Sequence, residues 1–351
     1  MPRKNAGRST PSRKKQHVAI TLARDVRFRT VSTGLESVEF VHNALPELDL
    51  TDVDTGTVFL GKPLSFPLLV SCMTGGYAEA LPINRDLALL CAGAGIALGV
   101  GSQRQAMEDR RYHSSYAIVR EVAPSIPVIG NIGGAEVARM KDPSAAQRLV
   151  DLVRADAFAV HLNPLQELLQ PEGTPRFRGV LEGIALLVRS LPVPVIVKEI
   201  GAGISAPVAR RLLDAGVKHI DVAGAGGTSW AGVEALRRKD RRLALRFWDW
   251  GIPTLDALRD VSALRREGFT FTLIASGGIT SGLDIAKCCA LGADLAAAAR
   301  PLLLARRAGG RRGMHELVES WREEFRAVMF LTGSRTPADL RGAALTRRGT
   351  T

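Results

Sequence analysis

A chain of 351 residues is long for one core but ordinary for an α/β barrel, and 46% hydrophobic content is ample to bury one. No run approaches the ~18 uninterrupted apolar residues of a membrane span, and no apolar stretch of a signal peptide follows the N-terminal charges, so we expect a cytoplasmic protein. The formal charge of +12 sits at the two ends, with +6 in residues 1–17, +6 in residues 300–351 and a balanced body between them. The tails carry little aromatic content for stacking and no recognisable reading module of a nucleic-acid binder. Cys72, Cys91, Cys288 and Cys289 lack paired C-x-x-C spacing and read as reduced, buried small hydrophobes.

In chain order, residues 1–16 read as a basic, flexible tail. Arg13, Lys14 and His17 stand where a helical composition begins, as a solvated basic face or as an anion clamp. Residues 17–60 read as an N-terminal extension, irregular after residue 25, lying over one end of the domain. From residue 61 a rhythm appears, with apolar, strand-like runs at 66–72, 95–100, 126–130, 156–160, 193–198, 219–223, 271–275 and 294–298. Helical segments lie between most of them, at 82–93, 144–155, 207–215, 254–267 and 281–291. Eight such alternations predict a TIM (β/α)8 barrel over residues 61–332. An open doubly wound sheet is the alternative, without the early glycine-rich turn that it would want. Leu317, Val318, Trp321, Phe325, Val328 and Met329 recur at helical spacing, a C-terminal helix for core or subunit contact, before a tail at 333–351.

Barrel active sites lie at the C-terminal ends of the strands. Those ends read Met73-Thr74-Gly75-Gly76, Gly101-Ser102-Gln103-Arg104, Asn131-Ile132-Gly133-Gly134, His161-Leu162-Asn163, Lys198-Glu199-Ile200-Gly201, Gly224-Ala225-Gly226-Gly227-Thr228, Ser276-Gly277-Gly278 and Arg300-Pro301. Each carries polar groups, glycine or both, and glycine lets backbone N–H groups approach a ligand. Around His161, two carboxamides (Asn163, Gln166) and a carboxylate (Glu167) follow within seven residues. This suits a polar ligand with a hard cation on Glu167; a polar loop around one satisfied histidine is the other reading. The last two βα loops, at Gly277-Gly278 and Arg300, have the layout of a barrel phosphate site. Lys198 ends an otherwise apolar strand, either snorkelling to the rim or set against an electron-rich ring or oxyanion.

With these motifs in order, the chain resembles the type 2 isopentenyl-diphosphate isomerases, which are FMN-dependent barrels. The resemblance runs from residue 13 to residue 332. It rests on Arg13-Lys14-x-x-His17, Met73-Thr74-Gly75-Gly76, Gly101-Ser102, Asn131-Ile132-Gly133, His161-x-Asn163-x-x-Gln166-Glu167 with Pro171-Glu172-Gly173, Val197-Lys198-Glu199, Gly226-Gly227-Thr228 and Ala275-Ser276-Gly277-Gly278. It implies conversion of isopentenyl to dimethylallyl diphosphate in isoprenoid biosynthesis, with reduced FMN, NADPH as reductant and Mg2+. By position, it implies that Arg13, Lys14, His17, Ser102, Gln103, Arg104, His161, Asn163 and Gln166 hold the diphosphate, and that Glu167 holds Mg2+. Met73, Thr74, Gly75, Ser102, Asn131, Lys198, Ala223, Thr228, Gly277, Gly278, Ala299 and Arg300 would hold the flavin. Gln166, His161 and Asn163 stand as the catalytic group, Gln166 in positioning or proton relay because a carboxamide does not titrate. A homo-oligomer, tetramer or octamer, is implied as well.

Three positions depart from the family. Thr280 stands where arginine is usual, Ala223 where serine is more frequent, and Ala296-Ala297-Ala298-Ala299 where a glycine is expected. All lie by the implied flavin phosphate, so looser FMN retention is expected, by ~1 to 3 kcal/mol unless Arg300 compensates. Two rival readings remain: an FMN barrel oxidoreductase, which would want a histidine within residues 224–228, and a paralogue acting on another phosphorylated or 2-hydroxy-acid substrate.

Overall fold

The structure, a computed structural model, describes residues 10–347. Eight short parallel strands carry the architecture: β1 (Leu68–Val70), β2 (Ala97–Gly99), β3 (Val128–Gly133), β4 (Ala157–His161), β5 (Val195–Lys198), β6 (His219–Asp221), β7 (Thr272–Ser276) and β8 (Leu295–Ala298). Each pairs with its neighbour in the chain, and β8 closes onto β1, so the barrel is complete. All eight runs read from the sequence are these strands. They are apolar because the barrel buries both faces of each strand. One face meets the surrounding helices, and the other fills the lumen with Leu69, Ala97, Ile129, Ala157, Ala159, Ile196, Ile274, Leu295 and Ala297.

The register sets the site. Gly133 pairs with His161, His161 with Lys198, and Lys198 with Asp221, so one rung at the ends of β3–β6 carries an imidazole, an ammonium and a carboxylate side by side. The last helix, Arg300–Thr332, breaks at Gly310 (φ 60°, ψ −143°) into the eighth barrel helix and a C-terminal helix. Val318, Trp321, Phe325 and Met329 of the latter are buried.

The segments outside the barrel depart from expectation in three places. The helix Thr10–Ala23 begins well before residue 16, where the flexible tail was to end. Its polar sequence hides this, because the helix is held by tertiary partners. Arg300 Nε donates to Thr21 O at 2.8 Å, and Arg307 Nη1 to Leu22 O at 2.6 Å, placing cations on the C-terminal carbonyls. Residues 1–9 of the expected tail lie outside the described residues. The extension at 17–60 covers both ends of the barrel rather than one. Its first part lies on the C-terminal mouth, with Phe28 N donating to Gly227 O and Ser229 N to Val26 O. Its end, in the hairpin of Thr57–Phe59 and Lys62–Leu64, brings Phe59 and Leu64 onto the lumen side chains as a plug at the opposite mouth. The C-terminal segment is also structured: Pro337–Leu340 is a turn of helix, and Leu345–Arg347 pairs antiparallel with Val38–Phe40. All four cysteines are free.

Candidate active site

The strand ends and the N-terminal helix enclose one cavity of about 560 Å³. Most of the residues singled out in the sequence line it: Arg13, Lys14, His17, Met73, Gly75, Ser102, Arg104, Asn131, His161, Asn163, Gln166, Glu167, Lys198, Ala223, Thr228, Gly277, Gly278, Ala299 and Arg300. Two do not. Gln103 is fully buried in the barrel wall, where its Nε2 donates to Leu149 O at 2.9 Å and its Oε1 accepts the N–H of Asn131 at 2.9 Å. Thr74 is buried too, and its hydroxyl is bonded to the Asn84 carboxamide. Both hold the frame behind the site, a role that sequence motifs do not separate from contact.

On one side of the cavity lie the groups suited to an anion. Helix geometry points Arg13 and Lys14 inward. Lys14 Nζ donates to Gly75 O (2.8 Å), to Ser102 O and to the Tyr116 hydroxyl (2.8 Å). Burial, reinforced by nearby Arg13, pushes the Lys14 ammonium down to about 7. Burial also lowers the Arg13 guanidinium, next to Arg104. Unlike charges offset this crowding: Arg104 reaches Glu136 at 3.0 Å and Glu108 at 3.1 Å, and burial raises the Glu136 carboxyl. A bound polyanion would relieve the same crowding. His17 lies 2.7 Å from the fully buried Glu234, which Arg237 also meets at 2.6 Å, and Arg237 reaches Glu172 at 3.1 Å.

His161 is held by its Nδ1, 2.9 Å from Asn131 Oδ1, which leaves Nε2 as the free face of the ring. Burial, then the charges of Lys198, Lys14 and Arg13, pushes its pKa down to about 3, so the imidazole is neutral. On the helix Pro164–Leu169, Gln166 and Glu167 are placed by Asn163, whose Nδ2 donates to Gln166 Oε1 (2.9 Å) and to Glu167 Oε1 (3.3 Å). Thr174 N donates to Glu167 Oε2 at 2.7 Å. Asn163 Oδ1 is buried with no partner among the described residues, a polar atom aimed at something still to arrive. No cluster of three or more His, Cys, Asp or Glu side chains forms among the described residues. Glu167 therefore offers a single carboxylate, which suits a hard cation completed by phosphate oxygens.

The opposite side is a backbone cradle. Gly277 (φ 102°) and Gly278 (φ 77°) are in the left-handed region, and a Cβ on Gly277 would stand 2.0 Å from Gly224 O. Gly226 meets the backbone of Thr33 just as closely. Glycine there lets the loops pack directly on one another, and the backbone so placed lines the cavity wall, where N–H groups suit a phosphate. Lys198 Nζ projects here, 3.2 Å from Asp221 and donating to Glu199 O at 2.6 Å. Two residues differ from expectation at the loops expected to hold a phosphate. Arg300 spends its guanidinium on Thr21 O and Arg24 O, so it is committed to the N-terminal helix rather than free to replace a missing cation. Thr280 lines the cavity but bonds Asp284 at 3.0 Å. The sequence reading missed Glu136, Tyr116 and Asp221. Asp221 alone left a signal, an acid inside an apolar strand, as with Lys198.

This fold and site define a class, the FMN-dependent dehydrogenase type of barrel, and residues 160–347 match that family directly. Solved structures share the fold. A mandelate oxidase variant superposes with a TM-score of 0.64 at 20% identity, covering 98% of this chain and 94% of that one. A lactate oxidase of Pediococcus acidilactici does so with 0.67 at 18%, covering 98% and 88%. Much nearer in sequence are proteins named isopentenyl-diphosphate delta-isomerase. The one from Pelodictyon phaeoclathratiforme is 49% identical over 352 residues, 97% of this chain and 98% of its own. That of Chlorobaculum parvum is 48% identical with 97% and 98% coverage, and that of Methanothermobacter thermautotrophicus 46% identical with 94% and 91%. The chain belongs to the isopentenyl-diphosphate delta-isomerase family.

Proposed function

We propose that the protein interconverts isopentenyl and dimethylallyl diphosphate by a 1,3-shift of the double bond, with reduced FMN, Mg2+ and NADPH as the reductant, in cytoplasmic isoprenoid biosynthesis. The observation that carries this reading is that the anion-binding set and the glycine cradle line one continuous cavity. Neither half serves the reaction alone.

Arg13, Lys14 and Arg104 hold the diphosphate, helped by the Ser102 hydroxyl, while His161 and Asn163, whose N–H groups are engaged with Asn131, Gln166 and Glu167, frame the site. Its charge restores the full ammonium on Lys14, which stands near neutrality without it. Glu167 would hold Mg2+, which when bound would supply positive charge beside the diphosphate. Met73, Gly75, Asn131, Lys198, Ala223, Thr228, Gly277, Gly278 and Ala299 form the flavin bed. Reduced FMN, when bound, supplies an electron-rich ring against which positive charge on the substrate carbons is stabilised. Around that reaction the N-terminal helix excludes water, which would trap a tertiary cation. Gln166, fixed by Asn163, positions the alkene and relays protons, and His161 Nε2 stays unprotonated beside it.

Assembly into a homo-oligomer is supported by an apolar hollow of about 980 Å³ on the barrel flank, beside which Trp250 is 61% and Leu168 50% exposed. Light scattering at the mass of one chain would refute it.

The deciding experiment adds FMN to the purified protein, records the visible spectrum, and follows proton exchange into isopentenyl diphosphate with Mg2+ and NADPH. A bound-flavin spectrum with exchange supports the proposal. Flavin without exchange moves the substrate elsewhere, and no flavin at any concentration refutes the cofactor reading.

A further inference from the structure

Asp221 has no part in the reaction described above, yet it stands where a carboxylate is costly. It ends β6, is 1% exposed, and is the cross-strand partner of Lys198 on β5 and of Ile274 on β7. Its Oδ1 accepts the Ser276 hydroxyl at 2.6 Å and the Ala223 N–H at 3.2 Å. Oδ2 has Lys198 Nζ at 3.2 Å but no well-directed hydrogen bond, so their attraction is that of an ion pair. One side chain thus ties together β5, the loop after β6 and β7, the three strand ends that wall the flavin bed. Ala223, next along that wall, is a non-glycine residue in the left-handed region (φ 39°), a conformation that needs outside support.

We propose that Asp221 is a positioning residue of the flavin site: it holds the Lys198 ammonium in place and charged against the flavin ring, and it fixes the left-handed turn at Ala223 that the ring rests on. This inference rests on the flavin reading and adds to it a group that tunes the cofactor without touching it.

Among the groups around Lys198, Asp221 acts most strongly in that task. The Cys72 thiol is pushed up to about 11 by burial and is neutral. His161, paired with Lys198 across the strands, is neutral at about 3. Glu199 turns its carboxylate to the backbone N–H groups of Ile200 (2.6 Å), Gly201 (2.7 Å) and Ala202 (2.5 Å). Burial by itself would lower the lysine; with Asp221 opposite, its pKa is raised above the ordinary value instead. A cation that stays charged at all working pH values favours the reduced, anionic form of a ring lying on it.

The test is Asp221→Asn, which keeps the shape and removes the charge. Protein reconstituted with FMN is equilibrated with a redox dye at a fixed potential, and the ratio of reduced to oxidised FMN is read from pH 6 to 9. The variant is expected to lose about tenfold or more in that ratio at the alkaline end, through an inflection that the wild type lacks, because the unpaired lysine now titrates in range. Lys198→Met should give the low ratio at every pH. Reduction to the anionic ring takes up one proton, so the ratio falls with pH in every protein; a merely structural aspartate would weaken folding and leave that slope as in the wild type, so FMN bound with an unchanged ratio and slope overturns the proposal. If Asp221→Asn holds no FMN, the double variant Lys198→Met/Asp221→Asn decides. Recovered uptake, the unpaired ammonium being gone, supports the pairing role, and continued loss overturns it. Wild-type protein that takes up no FMN removes the flavin reading, and this inference with it.

Discussion

The neutral imidazole of His161 makes a quantitative demand on stability. In the fold it protonates near 3, against about 6.5 in an unfolded chain. The folded value is depressed, so below 6.5 the unfolded chain takes the proton first, and stability is lost as the pH falls from 6.5 towards 3. At pH 4.5, two units below the unfolded value, this one group costs about 2.7 kcal/mol, from 1.36 kcal/mol per unit. The figure is an upper bound, because the ring keeps some contact with solvent through the cavity mouth. His161→Gln removes the titration and keeps a hydrogen-bonding group opposite Asn131. Urea unfolding of both proteins from pH 7 to 4.5 should show the wild type losing more stability than the variant, with a gap that widens by up to about 2.7 kcal/mol. The other histidines with lowered values, His17 and His219, are common to both proteins and cancel in the comparison. Equal losses in the two proteins, or a His161 ring proton in NMR that titrates near 6.5, would refute the reasoning.

Three further outcomes follow from the same geometry. Glu167→Gln replaces the carboxylate proposed to hold Mg2+ and puts an N–H₂ against either Thr174 N–H or Asn163, so Mg2+ dependence and most turnover should vanish; a rate still rising with Mg2+ as in the wild type would refute that role. Gln166→Ala should cut turnover by about tenfold to a thousandfold, while FMN absorbance and affinity stay unchanged; full turnover would exclude positioning or relay by this side chain. Thr280→Arg restores a cation at the phosphate end of the cavity, where Arg300 is already committed, and should tighten FMN by ~1 to 2 kcal/mol in a fluorescence titration. Unchanged affinity would place the flavin phosphate elsewhere.

How far the sequence carries depends on where the stabilising partners lie. The eight strands were legible because each is a dense apolar run whose signal is local, and the barrel follows from their count. The N-terminal helix was legible only from Val18 on, because what holds Thr10–Ala23 is remote: Tyr116, Glu234, Arg300 and Arg307. The strand Leu345–Arg347 is equally invisible, since three residues gain their structure only from the partner Val38–Phe40, some 300 positions away.

The site divides along the same line. Side chains that end an apolar strand, such as His161 and Lys198, announce themselves by breaking its pattern, and their neighbours in register need no motif at all. Gln103 shows the converse error: it lies inside a motif of cavity residues, yet at the start of the helix Arg104–Glu108 its side chain turns into the wall, where it braces Asn131. Ser102 and Arg104, on either side of it, line the cavity. Arg300 teaches the same lesson for charge. It occupies the right loop for a phosphate, but its guanidinium closes the C-terminal carbonyls of the N-terminal helix, whose opposite end carries Arg13 and Lys14. The cation expected to grip a phosphate instead fixes the helix that lies over the cavity, which ties the order of that helix to the last barrel strand.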